Sequence, residues 1–166
     1  CAGYAVASMI LNAKDRHNGN LLIDKFGHLV HIDFGFIFEI SPGGNLGFES
    51  AAFKLSHEMA QLLDPGGTKN SPQFLRFMDL TIQGYLVARQ HTEAFLSIVR
   101  LMLDSGLPCF SRGTDRVIRN LRKRFHPELS NQEAAVFMRN TILDAYDKWT
   151  TGCYDIIQYL QQGITH

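Results

Sequence analysis

The sequence predicts a mainly α-helical domain carrying one small β-hairpin near its start. Three observations support that expectation. Periodic apolar segments with helix-start signals recur from residue 56 to about residue 149. Two short apolar runs, "NLLID" and "HLVHID", are joined by Lys25-Phe26-Gly27, and glycine between such runs marks a tight turn. No internal repeat or low-complexity tract breaks the pattern.

The elements follow in order. Residues 2–13 form a mostly buried helix. The hairpin comes next. Residues 36–55 hold Pro42, Gly43, Gly44 and Gly47 and form a long irregular loop; loops of that length in a compact domain tend to be functional. Ser56 opens a short helix closed by "PGG". Ser71-Pro72 is an N-cap with proline at the first helical position, and it starts the helix over 73–90. A helix over 92–103 stops at Gly106. Residues 114–125 make a basic helix. Ser130 and Glu133 form a capping box for a helix reaching about Trp149, and "YDIIQYLQQG" supplies a last segment.

Bulk properties narrow the function. A chain of 166 residues suits one domain or one lobe of a larger one. Apolar residues at 45% allow a sizeable core. The formal net charge of zero gives no global attraction to nucleic acid, and no nucleic-acid partner is expected. Cys1, Cys109 and Cys153 are an odd, sparse set that suits a reducing compartment better than a disulfide framework. No apolar run reaches the roughly 18 residues of a transmembrane helix, and no signal peptide is visible. The first residue is Cys1, already within helical sequence, so the chain is expected to be excised from something longer.

The chemistry concentrates in "KDRHNGNLLIDKFGHLVHIDFG", Lys14 to Gly35. Phosphoryl transfer needs oxygen ligands that hold Mg²⁺ against the phosphates, and a group that orients or deprotonates the attacking hydroxyl. Asp15 stands five residues before Asn20, the D-x-x-x-x-N separation of kinase catalytic loops. Asp33 heads Asp33-Phe34-Gly35, the metal-binding D-F-G. D-F-G alone is common by chance, and Asp15 alone could be a turn residue. Both motifs in order, with a hairpin to return them to one place, point to a kinase. Arg16 is expected to hold the loop by hydrogen bonds. His28 and His31 lie in the hairpin, and without a matching Cys or carboxylate pattern they are expected to be plain strand residues.

The loop reads Asp15-Arg16-His17, the reverse of the protein-kinase H-R-D. "DRHNGN" followed by "HIDFG" resembles the phosphatidylinositol kinases and their protein-kinase relatives. The likeness continues through "SPGGNLGFE", "FKLS" and "LPCF" to the terminal "YDIIQYLQQG". The whole is similar to the C-terminal lobe of the type III phosphatidylinositol 4-kinases, and the loop and tail look like the alpha form. The resemblance implies that Asn20 and Asp33 are the Mg²⁺ ligands, with Mn²⁺ as a substitute. It implies that Asp15 orients or deprotonates the inositol hydroxyl, with His17 near the γ-phosphate as charge stabiliser or shared base; an imidazole can do either near neutral pH. Leu22 and Ile32 match positions beneath the adenine ring of ATP, and they are expected to be core residues as well. Scaffold subunits are implied as partners.

Residues 36–55 occupy the activation-loop position, which in lipid kinases reads the headgroup. Its charges are Glu39, Glu49 and Lys54. Recognition of added phosphates would call for several Lys or Arg, so unphosphorylated phosphatidylinositol is the expected substrate. Lys54 is the one cation expected to meet the lipid phosphodiester. Between Arg112 and Arg124, six basic residues face one acid, Asp115. Val117, Ile118, Leu121 and Phe125 share one helical face, leaving Arg116, Arg119, Arg122 and Lys123 for an anionic membrane surface or for an acidic partner. The tail, with Tyr154, Ile156, Ile157, Tyr159 and Leu160, folds back on the core or dips into the membrane interface.

No G-x-G-x-x-G, no P-loop and no strand lysine precede Asp15. The family places these in an N-terminal lobe, so this segment alone is expected to be inactive. The expected activity of the complete enzyme is transfer of the ATP γ-phosphate to the 4-hydroxyl of phosphatidylinositol. It would act in the cytoplasm as a peripheral membrane protein, at the plasma membrane for an alpha form. The rivals are a 3-kinase or related protein kinase, and a non-catalytic interaction fragment.

Overall fold

In the computed structural model, residues 1–42, 51–111 and 113–150 are described. Helix α1 (Ala2–Leu11) ends two residues earlier than its sequence suggests, because Asn12 turns left-handed at φ 51° and returns its N–H to Ser8 and Met9 carbonyls. Its side-chain amide then donates to Phe38 O at 2.6 Å, and Phe38 N–H donates to Leu11 O at 2.7 Å. The end of α1 thus fixes the segment that follows Asp33.

Strands β1 (Leu21–Ile23) and β2 (Leu29–His31) pair antiparallel, with Leu21 opposite His31 and Leu22 opposite Val30. The turn is closed by Asp24, whose carboxylate accepts from Phe26 N–H at 2.8 Å and His28 N–H at 2.9 Å. Gly27 supplies the positive φ of 83° that the turn requires. His28 belongs to this turn, paired with Asp24, and not to a strand. Strand side chains alternate between faces. One face sends His31 inward, stacked on Tyr4 of α1 at 3.9 Å. The other presents Leu22, Val30 and Ile32. The expectation that Leu22 and Ile32 are core residues is wrong: they are 49% and 38% exposed. No element among the described residues covers that face of the hairpin.

The helical body consists of α2 (His57–Leu63), α3 (Pro72–Gln90), α4 (Thr92–Met102), α5 (Thr114–Arg124) and α6 (Asn131–Thr150). The caps legible in the sequence form. Ser56 Oγ accepts from Met59 N–H, and Ser71 Oγ from Phe74 N–H at 3.3 Å. Ser130 and Glu133 exchange backbone N–H bonds at 2.8 and 3.2 Å. Single 3₁₀ turns at Leu103–Ser105 and Pro108–Phe110 flank Gly106, at φ 75°.

Helix α3 is the central pillar, packed against α1 on one side and α6 on the other. Its Phe74 and Tyr85 are fully buried; Phe74 meets Tyr146 of α6 edge-on at 5.1 Å. The end of α5 is held by the same pillar. Tyr85 donates its hydroxyl to Arg124 O at 2.9 Å, and Arg89 donates to the carbonyls of Phe125, His126 and Leu129. The bonds to Arg124 and Phe125 satisfy carbonyls that the end of α5 leaves without intrahelical partners. Among the described residues, no helix is long and apolar enough to cross a membrane.

Burial, aided by the positive charges of Arg16 and Lys54, pushes the His31 imidazole from 6.5 down to about 4. An unfolded chain takes up this proton near pH 6.5, whereas the folded protein resists it until about 4. The unfolded state binds more protons between those values, so stability falls as pH drops through that window. His31→Phe keeps the stack on Tyr4 and removes the proton. Thermal midpoints measured from pH 7 to pH 4 should therefore fall less steeply for His31→Phe than for the parent; identical slopes would refute this.

Candidate functional site

The loop between α1 and β1 carries Asp15, Arg16 and His17, and the 3₁₀ turn Asn18–Asn20 leads directly into β1. Ile32 N–H donates to Asn20 O at 3.0 Å and Lys14 N–H to Phe36 O at 2.9 Å, which extends the hairpin pairing to both motifs. Asp15, Asn20 and Asp33 are thereby brought to one end of the hairpin, as their spacing predicts.

Arg16 organises this end. It is 2% exposed and lies beneath the loop. Its guanidinium donates to Lys14 O at 2.9 Å, to Ile32 O at 2.8 Å and to Asp33 O, and it lies over the Phe34 ring at 5.1 Å. The loop that carries Asp15 and the Asp33-Phe34-Gly35 segment are thus bound through one planar, multidentate cation.

Asp15 and Asp33 both sit in the left-handed region, at φ 61° and 55°. Such backbone is costly for most residues, is tolerated best by Asp and Asn, and concentrates at functional sites. Asp33 Oδ1 accepts from Gly35 N–H at 3.1 Å. A Cβ on Gly35 would stand 3.1 Å from that same oxygen, closer than nearly all such contacts, so glycine keeps the carboxylate in place. Asn20 is buried, and its amide nitrogen donates to Asp15 O at 2.8 Å. The same nitrogen lies 3.4 Å from His17 Nε2, and that nitrogen is 3.8 Å from the Asp15 carboxylate. His17 Nδ1 is buried with no hydrogen-bond partner among the described residues.

Lys54 differs from expectation, and Glu39 also turns inward. Lys54 is only 7% exposed, and its ammonium donates to Asn18 Oδ1 at 2.7 Å. Glu39 turns away from the site toward α5. It receives Arg124 at 2.8 Å and Asn120 at 2.8 Å, with Arg116 at 3.6 Å. Arg124 also reaches Phe38 O at 3.3 Å. The basic helix is therefore not a bare cationic face. Arg116 and Arg122 face the carboxylates of Glu39 and Glu93, while Arg119 and Lys123 are exposed. Sequence reasoning missed the Glu39–Arg124 pair, because 85 residues separate its partners and neither belongs to a motif. The loop residues 43–50, Arg112 and the tail 151–166 lie outside the described residues.

Arg16→Met removes the buried guanidinium that donates to the carbonyls of Lys14, Ile32 and Asp33. The expected cost is about 3 kcal/mol in denaturant unfolding, and a loss within the scatter of ordinary surface substitutions would contradict the bracing role.

A family model, Phosphatidylinositol 3- and 4-kinase, matches residues 1–112. Over 163 residues the chain is 64% identical to Phosphatidylinositol 4-kinase alpha 2 of Arabidopsis thaliana, covering 98% of this chain and 31% of that protein. It is 48% identical to Phosphatidylinositol 4-kinase STT4 of Saccharomyces cerevisiae, covering 99% of this chain and 8% of that one. Identity to Phosphatidylinositol 4-kinase beta of Danio rerio is 42%, with 99% and 19% covered. The chain thus spans less than a third of the length of these curated relatives. The chain belongs to the phosphatidylinositol 3- and 4-kinase family, and these relatives lie on its 4-kinase side.

Proposed function

We propose that residues 1–166 form the catalytic lobe of an alpha-type phosphatidylinositol 4-kinase, which transfers the ATP γ-phosphate to the 4-hydroxyl of phosphatidylinositol. The observation that carries this reading is the convergence of Asp15, Asn20 and Asp33 at one end of the hairpin, beside an apolar face formed by Leu22, Val30 and Ile32. That face would lie beneath the adenine ring. Asn20 and Asp33 offer hard oxygen donors of the kind Mg²⁺ takes, with phosphate and water oxygens completing its shell. The Asn20 amide nitrogen is already engaged by Asp15 O, which leaves its oxygen for an ion. The bound metal supplies neutralisation of phosphate charge. Asp15, with His17 beside it, would orient the inositol hydroxyl and accept its proton.

The described parts of the activation segment, residues 36–42 and 51–55, support the substrate class. Their two charged side chains, Glu39 and Lys54, are both turned inward. No cation among these residues is presented for an extra headgroup phosphate, which favours unphosphorylated phosphatidylinositol over a bisphosphorylated lipid. Residues 1–166 contain no phosphate-covering glycine loop and no strand lysine ahead of Asp15. ATP binding by this segment alone is therefore expected to be weak, with a second lobe completing the pocket and scaffold subunits placing the enzyme at a cytosolic membrane face, the plasma membrane for an alpha form.

Phosphatidylinositol, phosphatidylinositol 4,5-bisphosphate and a peptide can be presented in turn to the complete enzyme with Mg²⁺-ATP. Phosphatidylinositol should be phosphorylated at the 4-position, and Asp15→Asn should lower kcat on the order of 10²–10⁴-fold. Preference for the bisphosphorylated lipid or the peptide would overturn the reading.

Arg119 and Lys123 are the α5 cations best placed to meet an anionic membrane. The double change Arg119→Glu, Lys123→Glu should weaken binding to phosphatidylserine-containing liposomes by on the order of tenfold or more and flatten its salt dependence. Unchanged binding would assign α5 to intramolecular pairing alone.

A further inference from the structure

We infer that Lys54 is a positioning residue whose buried ammonium holds Asn18, tying the end of the activation segment to the turn that presents Asn20. The inference rests on the kinase reading and replaces a direct contact between Lys54 and the lipid phosphodiester.

A lysine ammonium is among the groups least often buried, since removing it from water is costly unless it is held by hydrogen bonds. Lys54 is buried to 7% exposure and aims its ammonium at Asn18 Oδ1, 2.7 Å away. That distance is typical of a strong, charge-assisted bond. The lysine stands on a firm base: Phe53, Leu55 and Ser56 on either side are all under 5% exposed. The group it holds is well placed to transmit position. Asn18 opens the 3₁₀ turn, Asn20 N–H closes that turn on His17 O at 3.0 Å, and the Asn20 amide reaches Asp15 O. The turn has little slack. A Cβ on Gly19 would stand 3.0 Å from the His17 ring, so the turn backbone lies directly against the imidazole. Displacing Asn18 would shift Asn20 and His17 together.

Small displacements of reacting groups lower turnover without abolishing binding. Loss of the Lys54 brace should therefore act on kcat. A lysine that touched the lipid phosphodiester would act on the lipid KM instead. Asn18→Asp preserves the tie as an ion pair, whereas Asn18→Ala removes it.

The test is steady-state kinetics of the complete enzyme carrying Lys54→Met, Asn18→Ala, the two together, and Asn18→Asp. Lys54→Met and Asn18→Ala should each lower kcat on the order of 10–100-fold, with both KM values within about threefold of the parent. The double variant should be no worse than either single one, because both remove the same contact. Asn18→Asp should retain most of the parent kcat. If Lys54→Met fails to fold, the Asn18 pair alone decides, through loss in Asn18→Ala and retention in Asn18→Asp. The inference is overturned by a raised lipid KM at unchanged kcat, or by effects of Lys54 and Asn18 that multiply. A parent enzyme without lipid kinase activity would defeat the kinase reading instead. In that case an unfolding double-mutant cycle between Lys54 and Asn18 still decides the tie: a coupling energy near zero would defeat it.

Discussion

A single buried guanidinium carries the geometry of this lobe. Arg16 lies under the loop between α1 and β1 and donates to backbone carbonyls on both sides of the hairpin, from Lys14 to Asp33. Asp15 and Asp33 flank those bonds in left-handed backbone that isolated chains seldom hold. Such conformations persist only where surrounding contacts over-determine them. Arg16 is suited to that task because its donors are fixed in one plane and its charge stays in place when buried. A lysine would offer a point charge in place of a fork.

Around this centre the body acts as a frame. Helix α3 packs against α1 and α6 and fastens the end of α5 through Tyr85 and Arg89. Helix α5 in turn holds Glu39, four residues after Gly35, through Arg124 and Asn120. The start of the segment after D-F-G is thus fixed by α1 and α5, and its end by burial of residues 53–56. Beside the site the hairpin leaves Leu22, Val30 and Ile32 exposed on one face. A face of that kind is where a ligand or another element gains most from burial.

Much of the fold was legible because its signals are local. Ser56, Ser71-Pro72 and the Ser130–Glu133 box act within one turn of the residues they cap, and α5 shows its apolar face at helical spacing. The D-x-x-x-x-N and D-F-G motifs were legible because each is a short fixed spacing and the hairpin between them is signalled locally. The misreadings share another cause. Leu22 and Ile32 are apolar, and apolarity states a preference for burial without naming what does the burying. Lys54 was read as the cation that meets the lipid phosphodiester, and Glu39 was counted only as a charge of the loop. Each instead found a partner 36 or more residues away, and separations of that order leave no periodic trace.

The sequence by itself determined the element order, the caps, the family resemblance and the candidate residues of the site, because all of these rest on short spacings and residue chemistry. Only the tertiary structure decided which charges face outward. Helix packing brought Glu39 to Arg124 and Lys54 to Asn18, and a charge enclosed in that way must find a partner, since its solvation is lost. That requirement turns Lys54 toward Asn18 and Glu39 toward Arg124.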